Sequence, residues 1–390
     1  MSKTTETLAN LFIILVTSLI TLGLLEVAAN VYLTDYATAE QFNRYASWKQ
    51  LRQKQQDQAV RVSAHRYLGY YPTPGWSEGD NRHNSRGFRG DEIPLEKAPG
   101  EFRIVCLGGS TTYTSAVPDY RKSYPAQLQA ALRKAGYDNV TVINAGLYDY
   151  TSWESLINFQ FRALDLDPDL VIVYHAINDI ESRFVWPPAA YHGDNSGARV
   201  ADTGIFSPGL LEHSAIGRIL LIKAGLAKPH STLARLFIAR PETSYMEEYD
   251  RQTVSKSYPE NIFTEVTPEK MLQTNPPVYF KRNLENLIAI ADFRGIDVIL
   301  STMAFIPVSP EANNRGGSPL FWAAMNEHNQ VMRDITNNTS AYLLDFSALF
   351  PKDAGLYETD GIHLNEAGAL EKARIFSEFI QKSNLVTRPQ

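Results

Sequence analysis

The stretch Arg103-Ile-Val-Cys-Leu-Gly-Gly-Ser110-Thr-Thr112 decides the fold of this chain. Its consecutive apolar side chains predict a β-strand over residues 103–107 that is buried on both faces, as the strands of parallel sheets are. The two glycines after the strand permit a tight turn. That turn presents Ser110 at the carboxyl end of the strand, where open parallel sheets bind their ligands.

Four further apolar segments predict the other strands of the same sheet, and they lie at 140–144, 170–174, 297–302 and 342–346. Segments with helical periodicity alternate with them, and these lie at 122–136, 152–164, 279–294, 320–336 and 365–382. Buried strands that alternate with helices are typical of a sheet that is covered by helices on both faces. We therefore predict a three-layer α/β/α domain with a five-stranded parallel sheet.

The composition excludes several classes of function. The chain has 390 residues, of which 44% are hydrophobic, a normal share for a globular core. Its formal net charge is -6, so nucleic acid is not expected as a partner. Cys106 is the only cysteine, which rules out an internal disulfide and a cysteine-based metal site. The histidines show no HExxH-like spacing, and we predict no metal and no cofactor.

The N-terminal region, residues 1–36, predicts a membrane anchor. Residues 11–25 carry no charged side chain, and the apolar character resumes after Glu26. A bilayer needs about 20 residues to be spanned, and 11–33 is long enough if Glu26 lies near an interface. A cleaved signal peptide is the alternative, but Lys3 is the only basic side chain before the apolar stretch, which ends in bulky residues.

The charges that flank this span do not fix its orientation. Lys3 lies on one side, while Arg44, Lys49 and Arg52 lie on the other, a distribution that opposes export of the larger domain. Large domains are nevertheless translocated despite such charges, and a short N-terminal tail suits an N-inside anchor. We therefore expect the globular domain outside the cytoplasm. Glu26 is either an interfacial residue or a contact with a membrane-protein partner.

Two segments lie outside the alternation of strands and helices. Residues 37–100 predict an amphipathic helix over 37–62, followed by turn signals with aromatic anchors that form a clasp over the domain. Residues 181–277 are too long for a bare loop. We interpret them as a cap inserted over the site, with a short apolar helix near 216–226; a structural or partner-binding insertion is the alternative. Residues 383–390 form a tail.

Ser110 alone is an ambiguous signal, because glycines after a strand often serve only a turn. The segment lacks the ending of a phosphate loop, and Thr112 stands where the Gly-x-Ser-x-Gly elbow has its last glycine. Asp360 and His363, three residues apart, make the signal more specific. The carboxylate can orient the imidazole and leave its other nitrogen for Ser110, while capping of the next helix is the alternative.

Two residues can stabilise the oxyanion that forms when a serine attacks a carbonyl group. Asn178 follows the strand 170–174, and its side-chain amide can donate a hydrogen bond. Gly146 follows the strand 140–144 and can offer its backbone N–H. A turn or cap role is the alternative for both. His175 is a weaker candidate for a second base than for a packed, hydrogen-bonded histidine.

The order of these segments resembles that of the SGNH, or GDSL-like, hydrolases, whose four sequence blocks supply Ser, Gly, Asn and His. The corresponding residues in this chain are Ser110, Gly146, Asn178 and His363, with Asp360 in the family's Asp-x-x-His position. The resemblance covers residues 101–382 apart from the insertion. It implies a flavodoxin-like α/β/α fold and an ester hydrolase without metal or organic cofactor.

The resemblance also implies a role for each residue. Ser110, His363 and Asp360 are expected to be catalytic, and Ser110, Gly146 and Asn178 to hold the oxyanion. Ala176 departs from the family, which usually has glycine there, so its methyl group puts the geometry of the oxyanion loop in question.

The sequence at 84–90, Asn-Ser-Arg-Gly-Phe-Arg-Gly, together with the single anchor looks like membrane-tethered bacterial members of the family. We therefore expect a single-pass protein of the bacterial inner membrane whose globular domain is periplasmic. The expected substrate is an acyl ester, such as an O-acetyl group on a cell-surface glycan. Alternatives are a carbohydrate O-acetyltransferase, a lipid esterase, and a non-catalytic assembly or binding subunit of a membrane complex.

Overall fold

The computed structural model describes residues 3–51, 61–65, 67–194, 209–227, 244–308 and 318–386. The contacts between residues divide the chain into two units. The N-terminal unit consists of residues 1–60 and 200–239, and the sheet unit consists of residues 61–199 and 240–390. All residues that were predicted for the active site belong to the sheet unit.

Two short antiparallel strand pairs open the sheet unit. β1 (Val62–His65) pairs with β2 (Gly69–Pro72), and β3 (Ser77–Glu78) pairs with β4 (Asn81–Arg82). The residues from there to the central sheet form turns, bends and isolated bridges. The side chain of Trp76 is buried and packs against the His83 ring.

Five parallel strands form the central sheet, and they are β5 (Phe102–Gly108), β6 (Val140–Asn144), β7 (Leu170–Tyr174), β8 (Asp297–Ser301) and β9 (Tyr342–Leu344). Their order in the sheet is β6-β5-β7-β8-β9. This confirms the predicted five-stranded parallel sheet. β9 is shorter than predicted because the chain enters a helical turn at Phe346.

Alternate side chains of β5 enter two separate cores. Ile104 and Cys106 point to one face of the sheet, and Val105 and Leu107 point to the other. All four are fully buried, which explains why the strand is an uninterrupted apolar run. Burial of side chains of this size stabilises the fold by about 1.5–3 kcal/mol each.

The helices of the described residues, in chain order, are α1 (Lys3–Val31), α2 (Ala39–Tyr45), α3 (Ser110–Tyr113), α4 (Tyr124–Lys134), α5 (Ser152–Asn158), α6 (Ile177–Glu181), α7 (Ala215–Lys223), α8 (Met246–Ser255), α9 (Pro268–Thr274), α10 (Val278–Arg294), α11 (Pro319–Thr336), α12 (Phe346–Leu349) and α13 (Glu366–Lys382). α4 and α13 cover one face of the sheet through residues such as Leu128 and Phe376. α10 covers the other face through residues such as Leu287. The predicted helix over 152–164 is shorter, because the chain changes to a π-helical turn at Phe159.

The helices of the N-terminal unit begin with α1. This helix is long and apolar enough to cross a membrane, by length and composition, and a signal sequence passes the same test. The predicted amphipathic helix over 37–62 is wrong as a single element, because α2 ends before Ala46, whose backbone is extended. Ser47 then caps a new helical turn by exchanging hydrogen bonds with Gln50. Residues 52–60 of that prediction lie outside the described residues.

The structure divides the predicted insertion over 181–277 between the two units. Residues 209–227, which include the predicted short helix as α7, belong to the N-terminal unit. Residues 244–277 belong to the sheet unit, where the buried Arg183 guanidinium donates to the carbonyl oxygens of Asn275 and Leu272 at 2.6 and 2.7 Å. The two described parts therefore belong to different units, and the cap stays a prediction.

Candidate active site

Ser110 and Asn178 follow neighbouring strands at the point where the strand order of the sheet reverses. Along the chain, β5 is followed by β6 on one side and then by β7 on the other. Ligands of α/β sheets bind at the carboxyl ends of the strands beside such a reversal. Ser110 begins α3 directly after β5, and Asn178 lies in α6 directly after β7.

Ser110, His363 and Asp360 form a continuous chain of hydrogen bonds. Ser110 Oγ lies 2.7 Å from His363 Nε2, and His363 Nδ1 lies 2.5 Å from Asp360 Oδ2. Because an ionised carboxylate only accepts hydrogen bonds, the hydrogen of a neutral imidazole stands on Nδ1. Nε2 is then the acceptor for the hydroxyl proton, as a general base requires.

The surroundings of Asp360 keep its carboxyl group ionised. Burial by itself would raise the pKa of Asp360, but the hydrogen bond from the His363 ring and the backbone N–H groups of Ile362 and His363 lower it to about 2. Both N–H groups donate to Oδ1 at 2.9 Å, which leaves Oδ2 for the imidazole. The negative charge can therefore stabilise an imidazolium when the histidine takes up a proton.

A glycine fastens the loop of Asp360 and His363 to the segment after β8. The Ile306 N–H donates to the carbonyl oxygen of Gly361 at 2.9 Å. Gly361 has a φ of 69°, and a side-chain carbon there would lie 2.4 Å from the carbonyl oxygen of Ile306. Only glycine suits both the positive φ and the close approach of the Ile306 carbonyl group. The Asp360-Gly-Ile-His363 segment is thereby held in a fixed conformation.

The amide group of Asn178 lies against the backbone that carries Ser110. Asn178 Nδ2 donates to the carbonyl oxygen of Tyr150 at 2.9 Å. A side-chain carbon on Gly109 would lie 2.5 Å from the same nitrogen. An amide nitrogen carries two hydrogens, so a second one is available to an oxyanion beside the serine.

Gly146 lies against the residues of α3. Its N–H donates to Asn144 Oδ1 at 3.2 Å. A side-chain carbon there would lie 2.5 Å from the backbone nitrogen of Tyr113 and 2.8 Å from Thr112 Cβ. The glycine therefore lets the loop after β6 pack against α3, and its role as an oxyanion donor stays a prediction.

His175 and Asp179 form a buried polar network behind Asn178. His175 Nε2 lies 2.7 Å from Ser155 Oγ, and burial lowers the pKa of His175 to about 3. The 3.7 Å approach of His175 to Asp179 is therefore not an ion pair. Asp179 accepts hydrogen bonds from the N–H and hydroxyl of Ser152 at 3.1 and 2.6 Å. His175 is the packed histidine that the sequence favoured over a second base.

The side chain of Ala176 has a place in the core. The residue has a φ of -177°, which is extended backbone that any residue adopts. Its methyl group is buried in the apolar core that lies against one face of the sheet. The core therefore accommodates a methyl group at the position where the family usually has glycine.

Arg89 is a supporting residue whose role the sequence did not reveal. Its guanidinium is buried and donates to the carbonyl oxygens of Thr114 and Val117 at 3.1 and 2.6 Å. It also donates to the carbonyl oxygen of Tyr113, the last residue of α3. Carbonyl groups at the end of a helix have no hydrogen-bond donor within the helix, and the Arg89 guanidinium is the donor here. The residue belongs to the Arg-Gly-Phe-Arg-Gly stretch that the sequence had marked only by resemblance.

Asp149 has a φ of 56°, so the loop that leads to Tyr150 is held in the left-handed region, which residues other than glycine rarely adopt. Among the described residues, no group of three or more His, Cys, Asp or Glu side chains could hold a metal ion.

A family model described as the GDSL-like lipase/acylhydrolase family matches residues 106–370, which is more than half of the chain. The chain belongs to this family. This GDSL-like acylhydrolase is an ester hydrolase, and the matched range includes the strand–turn segment of Ser110 and the loop of His363.

Several solved structures are similar in fold to this GDSL-like acylhydrolase. A lipase/acylhydrolase from Enterococcus faecalis is 16% identical, with a TM-score of 0.41, over 74% of this chain and 99% of that one. A variant of Axe2, an acetyl xylan esterase from Geobacillus stearothermophilus, is 14% identical, with a TM-score of 0.41, over 75% and 99% of the two chains. No curated protein is significantly similar to this chain.

Proposed function

We propose that Ser110, His363 and Asp360 are the catalytic triad of an esterase that acts outside the cytoplasm on O-acetyl groups of a cell-surface glycan. The observation that carries this proposal is the unbroken chain of hydrogen bonds from Ser110 Oγ through the imidazole to Asp360. Nucleophile, base and orienting acid are within hydrogen-bonding distance of one another. That arrangement is the one that acyl transfer through serine requires.

The proposed reaction has two steps. His363 Nε2 takes the proton of Ser110 while Oγ attacks the ester carbonyl carbon, and the same proton then passes to the departing alcohol. Water next attacks the acyl-enzyme, gives its proton to Nε2, and releases the acid as the proton returns to Ser110. Asp360 stays ionised throughout and stabilises the imidazolium.

Two donors are proposed for the oxyanion of both steps. Ser110 is the first residue of α3, and the first N–H groups of a helix have no intrahelical partner. Asn178 Nδ2 is the second proposed donor, because it lies against Gly109, the residue before Ser110, and has a hydrogen beyond the one that is bound to Tyr150. One such donor typically contributes about 2.7–4 kcal/mol to transition-state stabilisation.

The proposed location rests on α1, whose length and composition suit a membrane span. In this proposal α1 is an uncleaved anchor of the bacterial inner membrane, and the sheet unit works in the periplasm. The side chains of His363 and Asp360 are partly exposed, so an ester group that is attached to a large polymer can approach them. This exposure supports a glycan substrate.

Steady-state assays on p-nitrophenyl esters of increasing acyl length test both parts of the proposal. Full-length protein in detergent is expected to hydrolyse the acetyl ester and to lose several orders of magnitude in kcat in Ser110→Ala and His363→Ala. Activity that survives in both variants would refute the proposed triad. Preference for long acyl chains would indicate a lipid esterase, and transfer of the acetyl group to an added sugar would indicate an O-acetyltransferase.

A further inference from the structure

An acidic side chain of α1 caps the first turn of α7. Glu26 Oε2 accepts from the Ser214 hydroxyl at 2.6 Å and from the Ile216 N–H at 3.0 Å, and Oε1 accepts from the Ala215 N–H at 2.8 Å. The first N–H groups of a helix need such a partner. Nearly 190 residues along the chain separate the two elements, so the contact fixes α7 beside α1 within the N-terminal unit.

The contact uses one face of α1. Glu26, Ala29 and Asn30 are partly buried at helical spacing, while the large apolar side chains of the preceding turns are exposed. Ala29 packs on a small apolar core that also contains Leu33 and Ala215. The carboxylate in the apolar stretch thus faces α7, and the remaining faces of α1 are apolar.

The position of Glu26 along α1 determines the depth of α7 relative to the hydrocarbon core of a membrane. No charged residue lies between Glu6 and Glu26, and these 19 intervening residues, at about 1.5 Å per residue, extend about 28 Å. That length matches the hydrocarbon core of a bilayer, which is about 30 Å thick. Glu26 and the first turn of α7 therefore lie at one boundary of the core when α1 spans the membrane.

The segment 209–227 exposes an apolar surface at this level. Its exposed large apolar side chains are leucines, namely Leu210 (93% exposed), Leu211 (63%), Leu220 (61%) and Leu226 (77%). Its only acidic residue, Glu212, is buried in an ion pair with Arg218. Lys223 is exposed, and a lysine at this level suits lipid phosphates.

We propose that residues 209–227 are a second membrane-binding element, which lies in the bilayer interface beside α1 with its exposed leucines inserted among the acyl chains. The lipid bilayer is the partner that this leucine surface contacts. Two observations support this occupant: the Glu26 contacts hold the segment against α1 at the boundary of the hydrocarbon core, and the segment has exposed leucines but no exposed acidic side chain. This inference rests on the membrane anchoring in the proposed function.

Fluorescence quenching on the full chain tests the inference. Leu220→Cys and Leu226→Cys, each labelled with an environment-sensitive fluorophore, are reconstituted in vesicles of phosphatidylethanolamine and phosphatidylglycerol. The native Cys106 is buried, so the introduced thiol is the one that reacts. Leu24→Cys, on an exposed position of α1, is the reference for a lipid-facing site.

A blue shift and a loss of emission in lipids with brominated acyl chains are expected at positions 24, 220 and 226. Loss at position 24 alone would overturn the inference and leave the anchor intact. No loss at any position would overturn the anchor as well. Protection of position 220 from both brominated lipid and aqueous iodide would show that a protein covers the surface, which also contradicts the inference.

Hydrogen exchange checks the link between α1 and α7 in the same vesicles. Glu26→Ala removes the cap and is expected to speed exchange of the Ala215 and Ile216 amides by about fivefold or more. It should also reduce the lipid quenching at position 220. Glu26→Gln is the matched control, because it keeps one of the two oxygen acceptors and should retain the protection of one of the two amides. Unchanged exchange in Glu26→Ala would contradict the proposed link.

Discussion

Replacement of Asp179 by asparagine is expected to remove a pH-dependent part of the stability of the sheet unit. Asp179 is buried beside Asn178, and its carboxylate accepts two kinds of hydrogen bond from Ser152. Burial raises its pKa, and the bonds from Ser152 only partly oppose this, so the pKa is about 7 against an ordinary value of 3.8. Asparagine keeps an oxygen acceptor and does not titrate.

The sign and size of the effect follow from this pKa. Between about pH 4 and 7 the folded protein holds a proton that the unfolded chain has lost, so the contribution to stability is present at low pH and disappears as the pH rises through 7. One pH unit of this difference corresponds to about 1.36 kcal/mol. From about pH 5 to 8.5, wild type should lose about 2.5 kcal/mol relative to Asp179→Asn.

Urea unfolding of both proteins in detergent, followed by tryptophan fluorescence across this pH range, measures the difference. The quantity to compare is the difference in unfolding free energy between wild type and Asp179→Asn. The buried His83 and His175, with pKa values of about 4 and 3, are present in both proteins, and their titration makes both more stable as the pH rises, opposite to the effect of Asp179. Asp345→Asn is the control. The pKa of Asp345 is lowered by its hydrogen bonds from Arg333, so this variant should follow the wild-type pH dependence above pH 5. Parallel curves for wild type and Asp179→Asn would refute the reasoning.

Three further variants test separate contacts. Asn178→Ala is expected to lower kcat by about 10²–10³ with little change in KM in ester hydrolysis assays, and a loss under tenfold would contradict its role as oxyanion donor. Gly146→Ala would bring a carbon within 2.5 Å of the Tyr113 nitrogen, so urea unfolding should show a loss of about 1–3 kcal/mol. Lys372 is fully buried, with Nζ 3.2 Å from the centre of the Tyr174 ring, and burial lowers its pKa. Lys372→Met should therefore raise the melting temperature, with a gain that shrinks as the pH rises towards 10.5, because the wild type becomes more stable over that range.

The sheet was readable from the sequence because its signal is local. Each strand of a parallel sheet is buried on both faces, so the runs at 103–107 and 170–174 contain few polar side chains. The carboxyl ends of these strands predict where polar side chains come together. The structure brings Ser110 into contact with His363, as the order of the sequence segments indicated. The catalytic roles of these residues stay predictions.

The features that sequence reasoning missed depend on long-range contacts. Nothing local to Gly146 shows that Tyr113 will lie against it, and nothing local to Ser214 shows that Glu26 will cap the helix beyond it. The break in the predicted helix over 37–62, in contrast, has a local signal. Ser47 and Gln50 stand at the spacing of a capping box, a signal that was present in the sequence.

The most direct test of the proposed active site is covalent labelling of the full-length protein with a fluorophosphonate, with the modified residue located by mass spectrometry. The reagent reacts with a serine whose hydroxyl is activated by a base. One adduct is expected, on Ser110, and it should be lost in His363→Ala although the variant remains folded. A folded wild-type protein that forms no adduct, or that is labelled at another serine, would contradict the account.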